Sequence, residues 1–160
     1  MAADAVLYPI LKFRFKVKWD GIQNEGSIGF TEVTGLDYSV DVTEYRDGED
    51  KGLTKHKIPG LRKFSNVTLK RGYFQGSRDF WDWIDGTGGK TPDKALLKRK
   101  DFRKTVTITL MNDAGEEMFS WNLERAFPIK VQFSDLKADG NEVAIETLEL
   151  AHEGVTATYL

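Results

Sequence analysis

The chain carries two histidines, His56 and His152, and no cysteine. Neither histidine stands at ligand spacing from a second good donor, so nothing converges for a metal centre or a nucleophile–base pair. The stretch Gly86-Thr87-Gly88-Gly89-Lys90-Thr91 has the glycines, lysine and threonine of a phosphate-binding loop. That loop needs a glycine five residues before Gly89, where Ile84 stands, and a preceding strand, where the periodicity gives a helix. Asp79, Asp82 and Asp85 recur at every third position and share a helix face. Paired carboxylates do acid–base work only where their environments separate their pKa values; on an amphipathic helix a solvated face, or a docking patch for a cationic partner, explains them. Lys98-Arg99-Lys100, with Arg103 and Lys104, is the densest basic cluster. A net charge of -2 and the lack of a flanking aromatic pattern point to a protein contact or a solvated loop rather than nucleic acid. The sequence therefore predicts no catalytic residue, no cofactor and no metal.

Such faces need a scaffold. At 160 residues, 40% hydrophobic and 30% charged, the chain reads as a single domain over 1–160 with a real core. No basic-then-apolar leader and no span-length apolar run is present, so the expectation is cytoplasmic synthesis without Sec-type export and no direct membrane anchoring.

The scaffold reads as β. From Lys12 to Trp19 the alternation is unbroken, Phe13, Phe15, Val17 and Trp19 against Lys12, Arg14, Lys16 and Lys18. That predicts a half-buried strand with one apolar and one cationic face. Asp20-Gly21 turns the chain, Ser27 to Thr34 returns as a strand, and Leu36 to Tyr45 alternates again. The polar run Arg46 to Lys57, closed by Pro59-Gly60, predicts a long loop or an extended hairpin arm, and such loops are usually functional. Strand character resumes from Phe64 to Arg71. Ser77 and Asp79 then open a helix whose Phe80, Trp83 and Ile84 share a face and which Gly86 can end. A short helical turn is expected over Pro92 to Lys98. Val106-Ile108-Leu110, Phe119-Trp121-Leu123 and Ile129-Val131-Phe133 each alternate with polar residues. In the last strand Val143 and Ile145 oppose Leu148 and Leu150, which predicts a bulge or a change of packing surface near Glu146-Thr147. About seven or eight strands and one helix make an antiparallel β-sandwich or barrel-like domain. Its long, regular edge strands, with four prolines near element ends, invite pairing between identical copies. If that pairing closes, the strands join between subunits into one large ring barrel with polar alternates around a water-filled hole.

Several segments, in this order and spacing, resemble the tail-tube (inner tube) proteins of contractile phage tails and of phage-like extracellular contractile injection systems. They include Phe13-Arg14-Phe15-Lys16-Val17, Phe30-Thr31-Glu32-Val33-Thr34-Gly35-Leu36, Glu44-Tyr45-Arg46-Asp47-Gly48, Asn66-Val67-Thr68-Leu69-Lys70-Arg71-Gly72, Ala126-Phe127-Pro128-Ile129-Lys130 and Asn141-Glu142-Val143-Ala144-Ile145-Glu146. The match runs from about Tyr8 to Gly154, and the stretch Gly86 to Lys100 departs from the family pattern by its length. The resemblance implies a tube fold with one flanking helix, hexameric rings stacked into a rigid hollow conduit, and no catalysis. It also implies a contractile sheath, baseplate or tube-initiator and terminal cap proteins as partners, and protein or DNA cargo in the lumen. Assembly is expected in the bacterial cytoplasm, into an extracellular or virion-like particle or an intracellular contractile apparatus.

Residue pattern and resemblance meet at three surfaces. Lys12, Arg14, Lys16 and Lys18, joined by Lys130, Gln132 and Ser134, are expected to face the lumen. Arg46, Asp47, Glu49, Asp50, Lys51, Lys55 and Lys57 are expected to make ring-to-ring charge pairs. Asp79, Asp82 and Asp85 are expected to meet the sheath. The alternatives are a tube-initiator or baseplate protein, a type VI secretion-like ring protein, and a monomeric β-sandwich binding module using Trp81 or Trp19.

Overall fold

Alternation sets which face of each strand is buried, and one long strand sets how the faces meet. In the computed structural model residues 8–12, 14–20, 22, 29–88 and 102–160 are described. The elements are β1 (Phe15–Lys18), β2 (Phe30–Thr34), β3 (Ser39–Tyr45), β4 (His56–Lys63), β5 (Val67–Gly72), α1 (Asp79–Gly88), β6 (Lys104–Met111), β7 (Glu117–Phe133), β8 (Ile145–Ala151) and β9 (Gly154–Tyr159). Phe13, the turn at Gly21, the start of the Ser27 strand, the Pro92–Lys98 turn and the Lys98-Arg99-Lys100 cluster lie outside the described residues.

Every pairing is antiparallel. The 17-residue β7 belongs to two half-sheets. Its first part lies between β6 and β9, with β1 beyond β6. Its last part, from Phe127 to Phe133, pairs with β8, which continues to β5 and β2. The passage is made by two register shifts, one opposite Lys104–Val106 and one between Pro128 and Lys130. Arg125 sits there with φ 50°, a left-handed conformation rare outside glycine. Each shift displaces the alternation by one residue, so Leu123 and Ala126 both reach the core although their parities differ.

The two halves close on one core. Val17, Val106, Ile108 and Leu123 come from one side, and Val67, Leu69, Leu148 and Leu150 from the other. Helix α1 caps the open flank with Phe80 and Trp83, which pack with Trp19 and Phe30 at ring separations of 5.3–6.0 Å. The helix runs past Gly86 to Gly88, because the Thr87 hydroxyl donates to the Trp83 carbonyl at 2.9 Å and sustains the last turn. The Ser77 hydroxyl, expected at the helix cap, accepts from Arg71 at 3.1 Å.

The C-terminal region departs from expectation. β8 runs without a register shift, with Glu146, Leu148 and Leu150 all on the buried face. The apolar pattern changes sides because a charged residue occupies a core position, not because the strand bulges. The chain then turns and adds β9 along β7.

Candidate functional site

β3 and β4 form a two-stranded ribbon separate from the main sheet. Its strands are exposed almost throughout, and Val40, Val42, Tyr45, Ile58 and Leu61 remain bare. A lone hairpin with uncovered apolar residues is marginal in water, which makes this arm a candidate interaction surface. Pro59-Gly60, expected to close a loop, lie inside β4 beside a bulge, where proline is tolerated. The tip is shaped by its own polar groups. The Arg46 guanidinium donates to the carbonyls of Gly52 and Asp50 at 3.1 and 3.3 Å. The Asp47 amide donates to the Asp50 carboxylate at 3.0 Å, and the Glu49 amide to the Asp47 carboxylate at 2.9 Å. His56 stands 3.3 Å from Asp50, and Lys55 3.5 Å from Glu44. Of the seven tip residues expected to stack rings, Arg46, Asp47 and Asp50 thus build the loop, while Glu49, Lys51, Lys55 and Lys57 lie exposed on it.

The arm is rooted at Asp37 and Ser65. The Ser65 hydroxyl and backbone N–H hold the Asp37 carboxyl below its ordinary value of 3.8. Tyr38, Phe64 and His152 stack in series at 5.1 and 5.7 Å, and His152 Nε2 lies 2.9 Å from the Ser65 carbonyl. Gly35 has φ +89°, and a Cβ there would fall 2.1 Å from the Asn66 carbonyl oxygen, so only glycine fits.

The expected lumen residues divide between the two half-sheets. Lys16 and Lys18 share a face with Thr109 and Thr107 of β6, away from the core. Lys12 and Arg14 precede the strand and are exposed; Arg14 donates to the Asp113 carbonyl at 2.6 Å, and Lys16 pairs with Glu117 at 2.6 Å. Lys130 and Gln132 instead lie opposite Glu149 and Thr147 on the outer face of the other half. Because the halves sandwich one core, these two faces point in opposite directions. The second face is polar from edge to edge: Lys130, Glu149, Thr68 and Thr34 form one row, and Gln132, Thr147, Lys70 and Glu32 the next. Lys70 and Glu32 pair at 3.5 Å. This face holds a recess of about 460 Å³ that also reaches Ser134 and the apolar side chains of Phe133 and Ile145. Both its edge strands, β2 and the last part of β7, lack a further strand partner among the described elements, although α1 packs beside β7 through Trp81 and Phe133.

The three-carboxylate face of α1 does not exist as expected. Asp79 is 6% exposed and faces Arg71, because a helix start packed on the sheet turns its first carboxylate inward. Asp82 is exposed and pairs with Arg78 at 3.4 Å. Arg71 itself is fully buried. Its Nε donates to Glu146 at 2.5 Å, its Nη1 to Asp79 at 3.3 Å and its Nη2 to Ser77 at 3.1 Å, and the guanidinium lies 4.0 Å from the Phe80 ring centre. This node ties α1 to β5 and β8. Sequence reading missed it; the one signal was a glutamate on the apolar side of β8.

Arg103 stacks on Phe102 and Phe127, and Lys104 donates to the Asp20 carbonyl at 2.6 Å, so these members of the basic cluster are structural. Among the described residues no group of three or more His, Asp or Glu side chains could hold a metal, and no helix is long and apolar enough to cross a membrane.

Comparison with known proteins places this architecture. The family model of the T4-like virus tail tube protein gp19 matches residues 11–156. A chain of the sheath–tube complex of PVC, an extracellular contractile injection system, in its extended state is 33% identical, with a TM-score of 0.78 over 97% of this chain and 95% of that one. A chain of the tube terminating cap of the anti-feeding prophage is also 33% identical, with a TM-score of 0.78 over the whole of both chains. Hcp1 of Flavobacterium johnsoniae, 10% identical with a TM-score of 0.50 over 89% of this chain and 93% of its own, shares the fold. No curated protein matches. A recessed, largely polar sheet face, a bare hairpin arm and this family match agree: the chain belongs to the T4-like tail tube protein gp19 family.

Proposed function

We propose that this tube subunit works as a hexameric ring, stacked on identical rings into a rigid conduit inside a contractile sheath. The recessed, largely polar face of the β2–β5–β8–β7 half carries the reading. A lumen wall must stay wet, and the two polar rows of this face support that role, with Phe133 and Ile145 at one end of the recess. Its open edges, β2 and the last part of β7, supply the backbone groups through which neighbouring copies continue the barrel. Lys130, Gln132 and Ser134 then line the channel with Thr68, Lys70, Thr147 and Glu149. Lys12, Arg14, Lys16 and Lys18 fall on the outer side of the wall. Cargo passing the lumen meets mainly hydrated groups and charge pairs, with apolar surface confined to Phe133 and Ile145, and slides without adhering.

The arm stacks the rings. Individual exposed ion pairs contribute only about 0–1 kcal/mol, but repetition around a ring fixes register. The relatives come from sheath–tube, cap and baseplate assemblies, which supports a sheath outside the tube and cap and baseplate proteins at its ends. The role is structural, not enzymatic. Assembly takes place in the bacterial cytoplasm before the particle acts outside it. Deleting Glu49 to Leu53 tests the reading. Purified subunits should keep their fold by circular dichroism yet fail to form tubes in negative-stain images. Tubes of normal length from this variant would rule it out.

A further inference from the structure

The strands of the lumen half have a polarity that the stacking reading does not use. β5 starts at the root of the arm, where Asn66 meets Gly35, and ends six residues later at Gly72. β8 runs the other way, from Ile145 to Ala151 beside the arm root. The arm therefore leaves one end of this half-sheet. At the other end, about 20 Å away at the usual rise per strand residue, lies an aromatic recess.

That recess is walled by Tyr73, Trp81 and Phe133 and has a volume of about 350 Å³. Trp81 and Tyr73 flank Phe133 at ring separations of 6.2 and 5.9 Å, and all three are about half exposed. Its floor is fixed, because Ser77 and Glu146 line it and both are bound to Arg71. Asp82 and Asp85 follow Trp81 along α1. The arm tip carries the complement. Leu53 is 96% exposed, the barest large hydrophobic side chain among the described residues, and Lys51 and Lys55 bracket it.

An apolar knob at one end, with Lys51 and Lys55 beside it, and an aromatic socket at the other, with Asp82 and Asp85 beside it and Arg78 in its lining 3.4 Å from Asp82, form a head-to-tail contact that repeats without closing. Resting on the stacking reading above, we propose that Leu53 of one copy seats in the Tyr73–Trp81–Phe133 recess of a copy in the next ring. Lys51 and Lys55 then lie against Asp82 and Asp85. Leu53 anchors the contact, since a buried apolar side chain in a preformed pocket dominates such interfaces, and the charges set orientation. The helix flank thereby serves the neighbouring ring rather than the sheath.

The absence of cysteine makes the test clean. Tubes of the double variant Leu53→Cys/Arg78→Cys, mildly oxidised, should run as a ladder of covalent multimers on a non-reducing gel, while each single variant gives at most dimers. Double-variant tubes without a ladder overturn the docking and leave the tube reading standing. Independently, Lys51→Glu/Lys55→Glu should raise the concentration needed for tube growth about tenfold or more. Adding Asp82→Lys/Asp85→Lys to that variant should restore growth. Folded subunits that are not restored overturn the proposal, as does an Asp82→Lys/Asp85→Lys protein whose tubes grow normally but no longer recruit sheath. Wild-type protein that stays monomeric at all concentrations sinks the stacking reading and this contact together.

Discussion

Replacing Arg71 by methionine should lower subunit stability by about 3–5 kcal/mol, the range for stripping one partner from a buried ionic group. The arginine is fully buried, and its partners Glu146 and Asp79 are 3% and 6% exposed, so water cannot take its place. Methionine preserves much of the apolar stem, which keeps the loss electrostatic rather than volumetric. What disappears is the set of bonds to Glu146, Asp79 and Ser77 and the contact with Phe80, leaving two buried carboxylates under α1 without the guanidinium that balances their charge. At about 2–4 °C per kcal/mol for a chain of this size, the melting temperature should fall by about 6–20 °C. Urea unfolding of dilute, disassembled subunits, followed by circular dichroism, measures it, and the slope should match the wild type. The triple variant Arg71→Met/Asp79→Asn/Glu146→Leu removes the whole charged group and should recover to within about 1–2 kcal/mol of wild type. A single variant that loses less than about 1 kcal/mol, or a triple variant no better than the single, would refute the reasoning.

Gly35→Ala should cost more than the roughly 1–2 kcal/mol of left-handed backbone alone, because its Cβ would meet the Asn66 carbonyl; an unchanged urea midpoint would contradict this. Asp37 has a lowered folded pKa, so it contributes stability above its unfolded value of 3.8 and loses that contribution as pH falls through the lower folded value. The difference in urea midpoint between wild type and Asp37→Asn should therefore be present at neutral pH and close below about pH 4; a difference independent of pH would count against the Ser65 bonds as its cause. In assembled tubes, Lys130→Cys should react with a small maleimide but not with a bulky polymer-linked one, whereas Lys16→Cys should react with both. Equal access of the bulky reagent to Lys130→Cys would remove that face from the lumen.

Legibility followed the periodicity. β1, β6 and the buried face of α1 were readable because nothing interrupts their alternation or helical spacing. β4 was obscured because its two apolar residues, Ile58 and Leu61, are three apart and so do not alternate, and because Pro59-Gly60 imitates a loop. β7 read as two strands because the two register shifts between its halves each invert the pattern, and a strand continuing through Arg125 and Pro128 leaves no unbroken alternation. β8 misled for the opposite reason: the backbone is regular, but Glu146 holds an interior position that only its distant partner Arg71 explains. β9 was overlooked although Val155, Ala157 and Tyr159 alternate with Thr156 and Thr158. The polar run from Arg46 marked the tip of the arm, while most of its flanking strands β3 and β4 lay outside that run. The division of the cationic residues between two half-sheets depends on tertiary folding, which strand alternation does not encode.

The long strand β7 gives the wall of the conduit an unusual mechanical character. Its first part lies in the half bearing the cationic ridge and its last part in the half proposed to line the channel, so on that proposal a single covalent ribbon threads both skins of the wall. A pull from outside would then reach the inner skin along backbone, without relying on side chains that could slip past one another. The left-handed residue Arg125 lies where the strand passes from one half to the other.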